Sequence, residues 1–151
     1  MEGKQVLVTG GCLCGAIRYE STEEPSFSGT CHCRMCQKSY GGPFTAAVGF
    51  ARSAFRFLKG EVKYYQSSKL ARRGFCSDCG SPIMLEFESS VPVGGEHFWV
   101  RLGTLDNPEN YRPEFHFGVE AQLPWIHFDD GLPRFKTEEG YMNAYGGSDH
   151  E

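Results

Sequence analysis

The chain has 151 residues, of which 40% are hydrophobic and 14% aromatic. This is enough to form the core of one globular domain, and it excludes a disordered chain. The formal net charge of −4 argues against nucleic acid as the main partner, because phosphate binding requires a basic surface. No apolar run approaches the roughly 18 residues that a membrane-spanning helix needs, so no membrane partner is expected.

Short strands are predicted where alternating or aromatic runs are bounded by glycine, proline or serine. The segment Lys-Gly-Glu at 59–61 predicts a hairpin between two of these strands, 55–58 and 62–66. Helical turns are predicted at 33–39 and at 106–111, where Asp106 could cap and Pro108 could sit in the first turn. No helical period is sustained over a dozen residues, so the prediction is a mainly β chain. In chain order, the predicted strands are 15–20, 44–50, 55–58, 62–66, 83–87, 98–102 and 115–119.

One domain is expected over residues 1–138, followed by a polar, glycine-rich and loose C-terminal tail at 139–151. The first ten residues contain no apolar stretch long enough for a signal peptide. Clustered reduced thiols are typical of the cytoplasm, which is the expected location. The oligomeric state, monomer or homodimer, stays open.

Cysteine spacing is the strongest functional signal in the chain. Structural zinc takes four ligands, whereas catalytic zinc takes three and keeps one position open. Two cysteine pairs would supply the four-ligand site and a triplet would supply the three-ligand site. The seven cysteines form three clusters, in the order Cys12 and Cys14, then Cys31, Cys33 and Cys36, then Cys76 and Cys79.

The two pairs have the character of zinc knuckles. A glycine follows the second cysteine of each pair, at Gly15 and Gly80, and lets backbone amides point at the sulfur atoms. A zinc ion bound by both pairs would connect the start of the sheet to its middle. Structural zinc contributes on the order of 10 kcal/mol to folding.

The triplet Cys31, Cys33 and Cys36 is the candidate catalytic site. Three thiolates leave a zinc ion with one net negative charge, so it is poorly suited to generating hydroxide from water. Such a soft site favours a sulfur ligand, and a substrate thiol in the fourth position would be held as a thiolate nucleophile. His32 is interpreted as structural, while His116 and His127 are weaker candidates to close the fourth position.

Other interpretations of the same residues remain open. The cysteines could form disulfides, although their number is odd, or they could be free buried side chains. All the zinc could also be structural, with the triplet site vestigial or closed by a further ligand. The cations near the triplet could bind substrate carboxylates, but a solvated surface is the favoured interpretation for them. These cations are Arg34, Lys38, Lys69, Arg72 and Arg73.

Three segments follow one another in a recognisable order: Gly-Gly-Cys-Leu-Cys-Gly-Ala-Ile-Arg-Tyr (10–19), Cys-His-Cys-Arg-Met-Cys-Gln-Lys (31–38) and Arg-Arg-Gly-Phe-Cys-Ser-Asp-Cys-Gly-Ser (72–81). Downstream lie Gly-Thr-Leu-Asp (103–106) and Leu-Pro-Trp-Ile-His-Phe-Asp-Asp-Gly-Leu-Pro-Arg-Phe (123–135). The chain resembles the glutathione-dependent formaldehyde-activating enzyme family, which also includes the centromere protein V domain. The resemblance covers roughly residues 10–136 and all seven cysteines.

This resemblance implies small stacked antiparallel sheets of the β-tent type, stapled by zinc, with few short helices. The tent is shared with methionine sulfoxide reductase B and a guanine-nucleotide-exchange chaperone. The implied activity is that of a carbon–sulfur lyase, which condenses formaldehyde with glutathione to give S-hydroxymethylglutathione. The implied ligands are Cys12, Cys14, Cys76 and Cys79 for a structural zinc, and Cys31, Cys33 and Cys36 for a second zinc.

Three functions therefore remain as hypotheses. The first is an enzyme that activates a small thiol such as glutathione on the three-thiolate zinc. The second is a binding module or chaperone whose zinc ions only shape a surface, and an exposed apolar patch away from the metals would favour it. The third is a redox or metal-buffering protein that uses the triplet cysteines directly.

Overall fold

A computed structural model of the chain describes residues 3–92 and 94–137. The predicted tail at 139–151 lies outside the described residues. Within them, the chain forms one α-helix, α1 (Arg34–Tyr40), and eleven strands. The strands are β1 (Val8–Gly11), β2 (Arg18–Ser21), β3 (Phe27–Cys31), β4 (Thr45–Ala51), β5 (Phe55–Lys59), β6 (Lys63–Gln66), β7 (Ala71–Phe75), β8 (Pro82–Phe87), β9 (His97–Arg101), β10 (His116–Phe117) and β11 (Arg134–Phe135).

Five short 3₁₀ helices complete the described elements. They are Arg52–Ala54, Gly94–Glu96, Leu102–Thr104, Pro108–Asn110 and Val119–Ala121. The prediction of a mainly β fold with small sheets and few short helices is therefore confirmed. No helix in the described ranges has the length and apolar character needed to cross a membrane.

The strands form two sheets of unequal size. The smaller sheet has the order β1-β2-β5, and the larger has the order β11-β10-β3-β4-β9-β8-β7-β6. All pairings are antiparallel except those of β10, which runs parallel to both β3 and β11. This parallel edge differs from the purely antiparallel expectation. It arises because the long connection after β9 brings the chain back to β3 in the same direction.

The predicted hairpin between 55–58 and 62–66 is wrong. The first of these strands, β5, pairs with β2 of the smaller sheet, whereas β6 pairs with β7 of the larger sheet. Gly60 lies at the crossover with φ of 73°, and a Cβ there would lie 2.3 Å from the carbonyl oxygen of Ala16. The chain does turn at 59–61 as predicted, but the turn leads from the smaller sheet to the larger one instead of closing a hairpin.

The main core lies between the two sheets. The smaller sheet contributes Tyr19 and Phe55, and the larger contributes Phe50, Met84 and Val100. Of these, Tyr19, Phe50, Met84 and Val100 have no exposed surface, so burial of their apolar area stabilises the stack by the hydrophobic effect. The same core cluster includes Cys12 and Cys76.

The other face of the larger sheet carries a different set of side chains. Residues directly opposite one another on paired strands, or two apart on one strand, lie on the same face. The register pairs Arg73 with Leu85 and Leu85 with Trp99, which is two residues before Arg101. Arg73 and Arg101 therefore lie on one face, and helix α1 covers it, since Tyr40 contacts both arginines.

Local signals explain the helical elements. Helix α1 follows Cys33, whose sulfur accepts a hydrogen bond from the Cys36 amide at 3.4 Å, and it ends at Gly41. This agrees with the prediction at 33–39. In the 106–111 region, Pro108 begins the 3₁₀ helix as predicted, but the N-cap position before it is Asn107 and not Asp106, and the Asn107 side chain makes no capping hydrogen bond. Asp106 instead accepts two hydrogen bonds from Arg18, at 3.0 and 2.5 Å.

Candidate metal centres

Four cysteines converge beside the main core. The sulfur atoms of Cys12, Cys14, Cys76 and Cys79 all lie within 4.8 Å of one another. The Sγ of Cys14 is 3.7 Å from that of Cys12 and 3.8 Å from that of Cys76. A tetrahedral zinc with Zn–S bonds of about 2.3 Å separates its sulfur ligands by about 3.8 Å. The group can therefore hold a metal ion, and its spacing fits zinc.

Backbone amides and one hydroxyl surround these sulfur atoms. The Ile17 amide donates to Cys12 at 3.2 Å, and the Asp78 amide donates to Cys76 at 3.4 Å. The Ser81 hydroxyl lies 3.1 Å from the Cys79 sulfur and is the leading cause that lowers the pKa of Cys79 to about 5. Such donors offset the negative charge that four thiolates bring to a metal ion.

A second group of three cysteines lies at the junction of β3 and α1. The sulfur atoms of Cys31, Cys33 and Cys36 lie within 4.8 Å of one another. Cys31 ends β3, Cys33 precedes the helix and Cys36 lies in its first turn. Hydrogen bonds from the thiols of Cys31 and Cys33 hold the pKa of Cys36 well below its usual range, and nearby positive charge adds to this effect. The group can hold a metal ion.

No aspartate, glutamate or histidine of the described ranges joins this triplet as a fourth ligand. His116 is engaged elsewhere, because its Nδ1 lies 2.7 Å from the Thr30 hydroxyl and its Nε2 lies 2.8 Å from Asp130. The alternative in which His116 closes the site is therefore wrong. His127 is exposed and is not part of the group either.

His32 is fully buried, although it lies between two of the cysteines in sequence. Its ring packs against Phe44 at 5.0 Å and against Phe128 at 5.6 Å between centroids. Burial lowers the pKa of His32 to about 4, so its imidazole stays neutral near pH 7. The interpretation of His32 as a structural side chain agrees with this environment.

Two buried arginines lie beside the triplet. Arg73 is 8% exposed and Arg101 is 6% exposed. Both terminal nitrogens of Arg73 lie 3.9 Å from the Cys36 sulfur, and one donates to the Tyr40 hydroxyl at 3.1 Å. The Arg101 guanidinium lies 4.5 Å from the centre of the Tyr40 ring. The interpretation of Arg73 as a solvated surface cation is therefore wrong.

Sequence reasoning missed Arg101 entirely. Its neighbours in the sequence are apolar, and its partner strand carries Ala47 opposite it. A signal for Arg73 would have followed from a predicted strand at 71–75, because adjacent residues of a strand point to opposite faces and a sheet covered on one face leaves only one of Arg72 and Arg73 exposed. The exposed one is Arg72, which lies 3.6 Å from the centre of the Tyr64 ring and 3.3 Å from Glu86.

The remaining cations near the triplet are exposed. Arg34 and Lys38 line a groove of about 270 Å³ between α1 and the segment 123–125, together with Trp125, which is 69% exposed. Residues two apart on a helix point to nearly opposite sides. The groove therefore lies on the side of α1 away from Cys36.

Gly118 contacts the backbone of the triplet. Its φ is 70°, and a Cβ there would lie 2.9 Å from the Cys33 amide nitrogen. We expect Gly118→Ala to weaken metal binding by the triplet several-fold, because Cys33 must move. Gly131 has φ of 68° with nothing within 4 Å of its Cβ position, so Gly131→Ala pays only the backbone strain of about 1 kcal/mol.

The measurement for this pair of variants is metal affinity by chelator competition, with thermal melting as the measure of stability. Equal metal affinities of the two variants would show that Cys33 does not depend on the contact with Gly118.

Comparisons with known proteins agree with this geometry. The sequence profile of the glutathione-dependent formaldehyde-activating enzyme family matches residues 7–121. An uncharacterized lyase of Schizosaccharomyces pombe is 34% identical over 131 residues, which cover 86% of this chain and 91% of the yeast protein. A crystal structure of a Rhodobacter sphaeroides protein superposes with a TM-score of 0.52 at 21% identity, covering 84% of this chain and 98% of the bacterial one. The last likeness bears on the fold alone.

Proposed function

The chain belongs to the glutathione-dependent formaldehyde-activating enzyme family, and from this membership we propose that it is a zinc-dependent lyase-type enzyme. In this proposal the substrate is a small thiol of the glutathione type, which adds to formaldehyde or a related aldehyde. The observation that carries the proposal is the triplet of sulfur atoms within 4.8 Å of one another, with no fourth side-chain ligand among the described residues.

The two cysteine groups have different roles in the proposal. Zinc bound by Cys31, Cys33 and Cys36 would hold the substrate thiol as a thiolate at an open position. The other four cysteines would hold a structural zinc, since they join distant parts of the chain beside the main core. The protein residues then position the thiol next to the aldehyde, and proximity supplies most of the rate enhancement.

The groove beside α1 carries two positive charges at its rim, Arg34 and Lys38, and an aromatic wall, Trp125. Because it lies on the side of the helix away from Cys36, it does not place a substrate carboxylate beside the triplet, and the proposal does not rest on it. We further propose that residues 1–138 act as one domain and that the protein works in the cytoplasm, where thiols stay reduced.

The alternative of a binding module or chaperone has less support. Among the large exposed hydrophobic residues, Leu13 (88% exposed), Leu58 (51%) and Tyr65 (67%) belong to separate loops and strands, and only Val6 and Leu7 are consecutive. Single exposed apolar residues are normal on soluble domains. A redox function of the triplet is the third hypothesis, and the next experiment tests it.

The first test is the zinc content of freshly prepared protein, measured with and without glutathione together with a count of reactive thiols. We expect two zinc ions per chain and a change at the second ion when glutathione is added. Formation of S-hydroxymethylglutathione above the spontaneous rate is the following measurement. One zinc ion and a triplet indifferent to glutathione would favour the binding module, whereas a disulfide between triplet cysteines would favour the redox function.

A further inference from the structure

Two buried positive charges on the α1 side of the larger sheet have no carboxylate partner among the residues that the structure describes. Other arginines of the described chain are paired with an acidic side chain. Arg52, for example, lies 3.1 Å from Glu86. In the ranges 3–92 and 94–137, no aspartate or glutamate lies within 4.0 Å of Arg73 or Arg101. A buried charge without a counter-charge is strongly unfavourable, so these guanidiniums require an anion.

The neighbours that hold the two guanidiniums are neutral. Arg101 donates to the Thr45 hydroxyl at 3.3 Å and to the Trp99 carbonyl at 3.1 Å. Arg73 donates to the Tyr40 hydroxyl and approaches the Cys36 sulfur. The Nε atoms of both arginines are buried without a hydrogen-bond partner among the described residues. The Cys36 sulfur is therefore the group that faces Arg73, at 3.9 Å, and the positive charge of Arg101 acts on the same sulfur.

The positions of these charges are fixed by the sheet. Arg73 lies on β7 and Arg101 ends β9, and the register places both on the same face. The Tyr40 ring lies against both guanidiniums, at 5.5 Å from Arg73 and 4.5 Å from Arg101. Because strands, register and ring hold them, the two charges are already in place before any ligand binds.

The net charge of the triplet site determines which kind of fourth ligand it prefers. Three thiolates around a divalent zinc ion carry one net negative charge, and two arginines turn the site as a whole singly positive. An anionic fourth ligand brings the site to neutrality, whereas a neutral ligand leaves a buried positive charge. Without the arginines, an anionic ligand would leave two negative charges in a buried site.

We propose that Arg73 and Arg101 are positioning residues that set the charge of the triplet site so that it takes an anionic sulfur ligand in preference to a neutral one. This inference rests on the proposed function, since it concerns the same open position. When a thiol binds there, its sulfur keeps the electron pair of the S–H bond and its proton passes to solvent. The arginines make no contact with the substrate in this role and act through the charge of the site.

The test uses the full chain with cobalt in place of zinc, because the visible spectrum of cobalt reports its ligands. The variants are Arg73→Met, Arg101→Met and the charge-conserving Arg73→Lys and Arg101→Lys. The matched control is Arg72→Met, which removes an exposed arginine from the neighbouring position of the same strand. Each protein is titrated with glutathione, with 2-mercaptoethanol, which has no carboxylate, and with imidazole, a neutral ligand.

We expect both methionine variants to bind either thiol about 10- to 100-fold more weakly and to bind imidazole with little change. The lysine variants should recover most of the thiol affinity, and Arg72→Met should match the wild type. Thermal melting identifies any variant that does not fold. The two arginines lie on different strands, so if one methionine variant does not fold, the other still tests the inference.

Several results would overturn the inference. Equal losses for thiols and imidazole would mean that the arginines only support the fold. A loss for glutathione but not for 2-mercaptoethanol would mean that they bind carboxylates. Unchanged thiol affinity in both methionine variants would overturn the inference and leave the proposed function intact. If the wild type binds imidazole but no thiol, both the proposed function and the inference are wrong.

Discussion

Cys79→Ser and Cys12→Ser are each expected to give insoluble or unfolded protein. The four cysteines join segments that lie more than 60 residues apart in the sequence, and two of them belong to the main core cluster. Structural zinc contributes on the order of 10 kcal/mol to folding, which is as large as the whole stability of a typical domain, about 5–15 kcal/mol. Serine is a poor zinc ligand, so most of this contribution would be lost.

Soluble yield, circular dichroism and zinc content measure the effect. Ser77→Ala is the matched control, because Ser77 lies between Cys76 and Cys79 but is exposed and offers no thiolate. A soluble Cys79→Ser protein with unchanged melting behaviour would show that the four-cysteine group does not hold the fold together.

The second large effect is expected at the triplet, and it is functional. Cys36→Ser and Cys33→Ser should keep the fold and lose the second metal ion and thiol binding, by more than about 100-fold in metal affinity. Helix α1 should survive Cys33→Ser, because the Cys33 side chain caps the helix and serine is itself a preferred capping residue. The melting temperature is expected to stay within about 4 °C of the wild type.

Metal content, thiol binding and melting of these variants should be measured beside those of Cys79→Ser. We expect changes in the four-cysteine group to abolish folding and changes in the triplet to abolish only metal and thiol binding. If Cys36→Ser unfolds the protein as completely as Cys79→Ser, the division into a structural and a reactive site is wrong.

The features that the sequence predicted correctly depend on local spacing. The helix at 33–39 follows from a capping side chain and a glycine stop, both within one short segment. The convergence of seven cysteines into groups of four and three was also anticipated from the spacing of the clusters. Ligand spacing of this kind reflects the geometry of one metal ion and needs no knowledge of the sheet.

The features that it missed depend on contacts between distant segments. Strands β3 and β7, Phe-Ser-Gly-Thr-Cys and Ala-Arg-Arg-Gly-Phe, have no alternating apolar pattern, because small and polar residues are covered by other elements. Gly29 shows the reason, since a Cβ there would lie 2.3 Å from the Phe115 ring. The burial of Arg101 likewise follows from the strand beside it and the helix above it, neither of which is adjacent in sequence.

Strand β7 connects the two cysteine groups, because it carries an arginine of the triplet site and is directly followed by a cysteine of the four-cysteine group. Two consecutive arginines occupy this strand, and a slip of one residue in its pairing would exchange their faces. Arg73 would then point to solvent and Arg72 would enter the triplet site. The anchor against such a slip is Cys76, which directly follows the strand and belongs to the four-cysteine group. A metal ion bound by this group would thus fix the register of β7, and the register determines which of the two arginines faces the triplet.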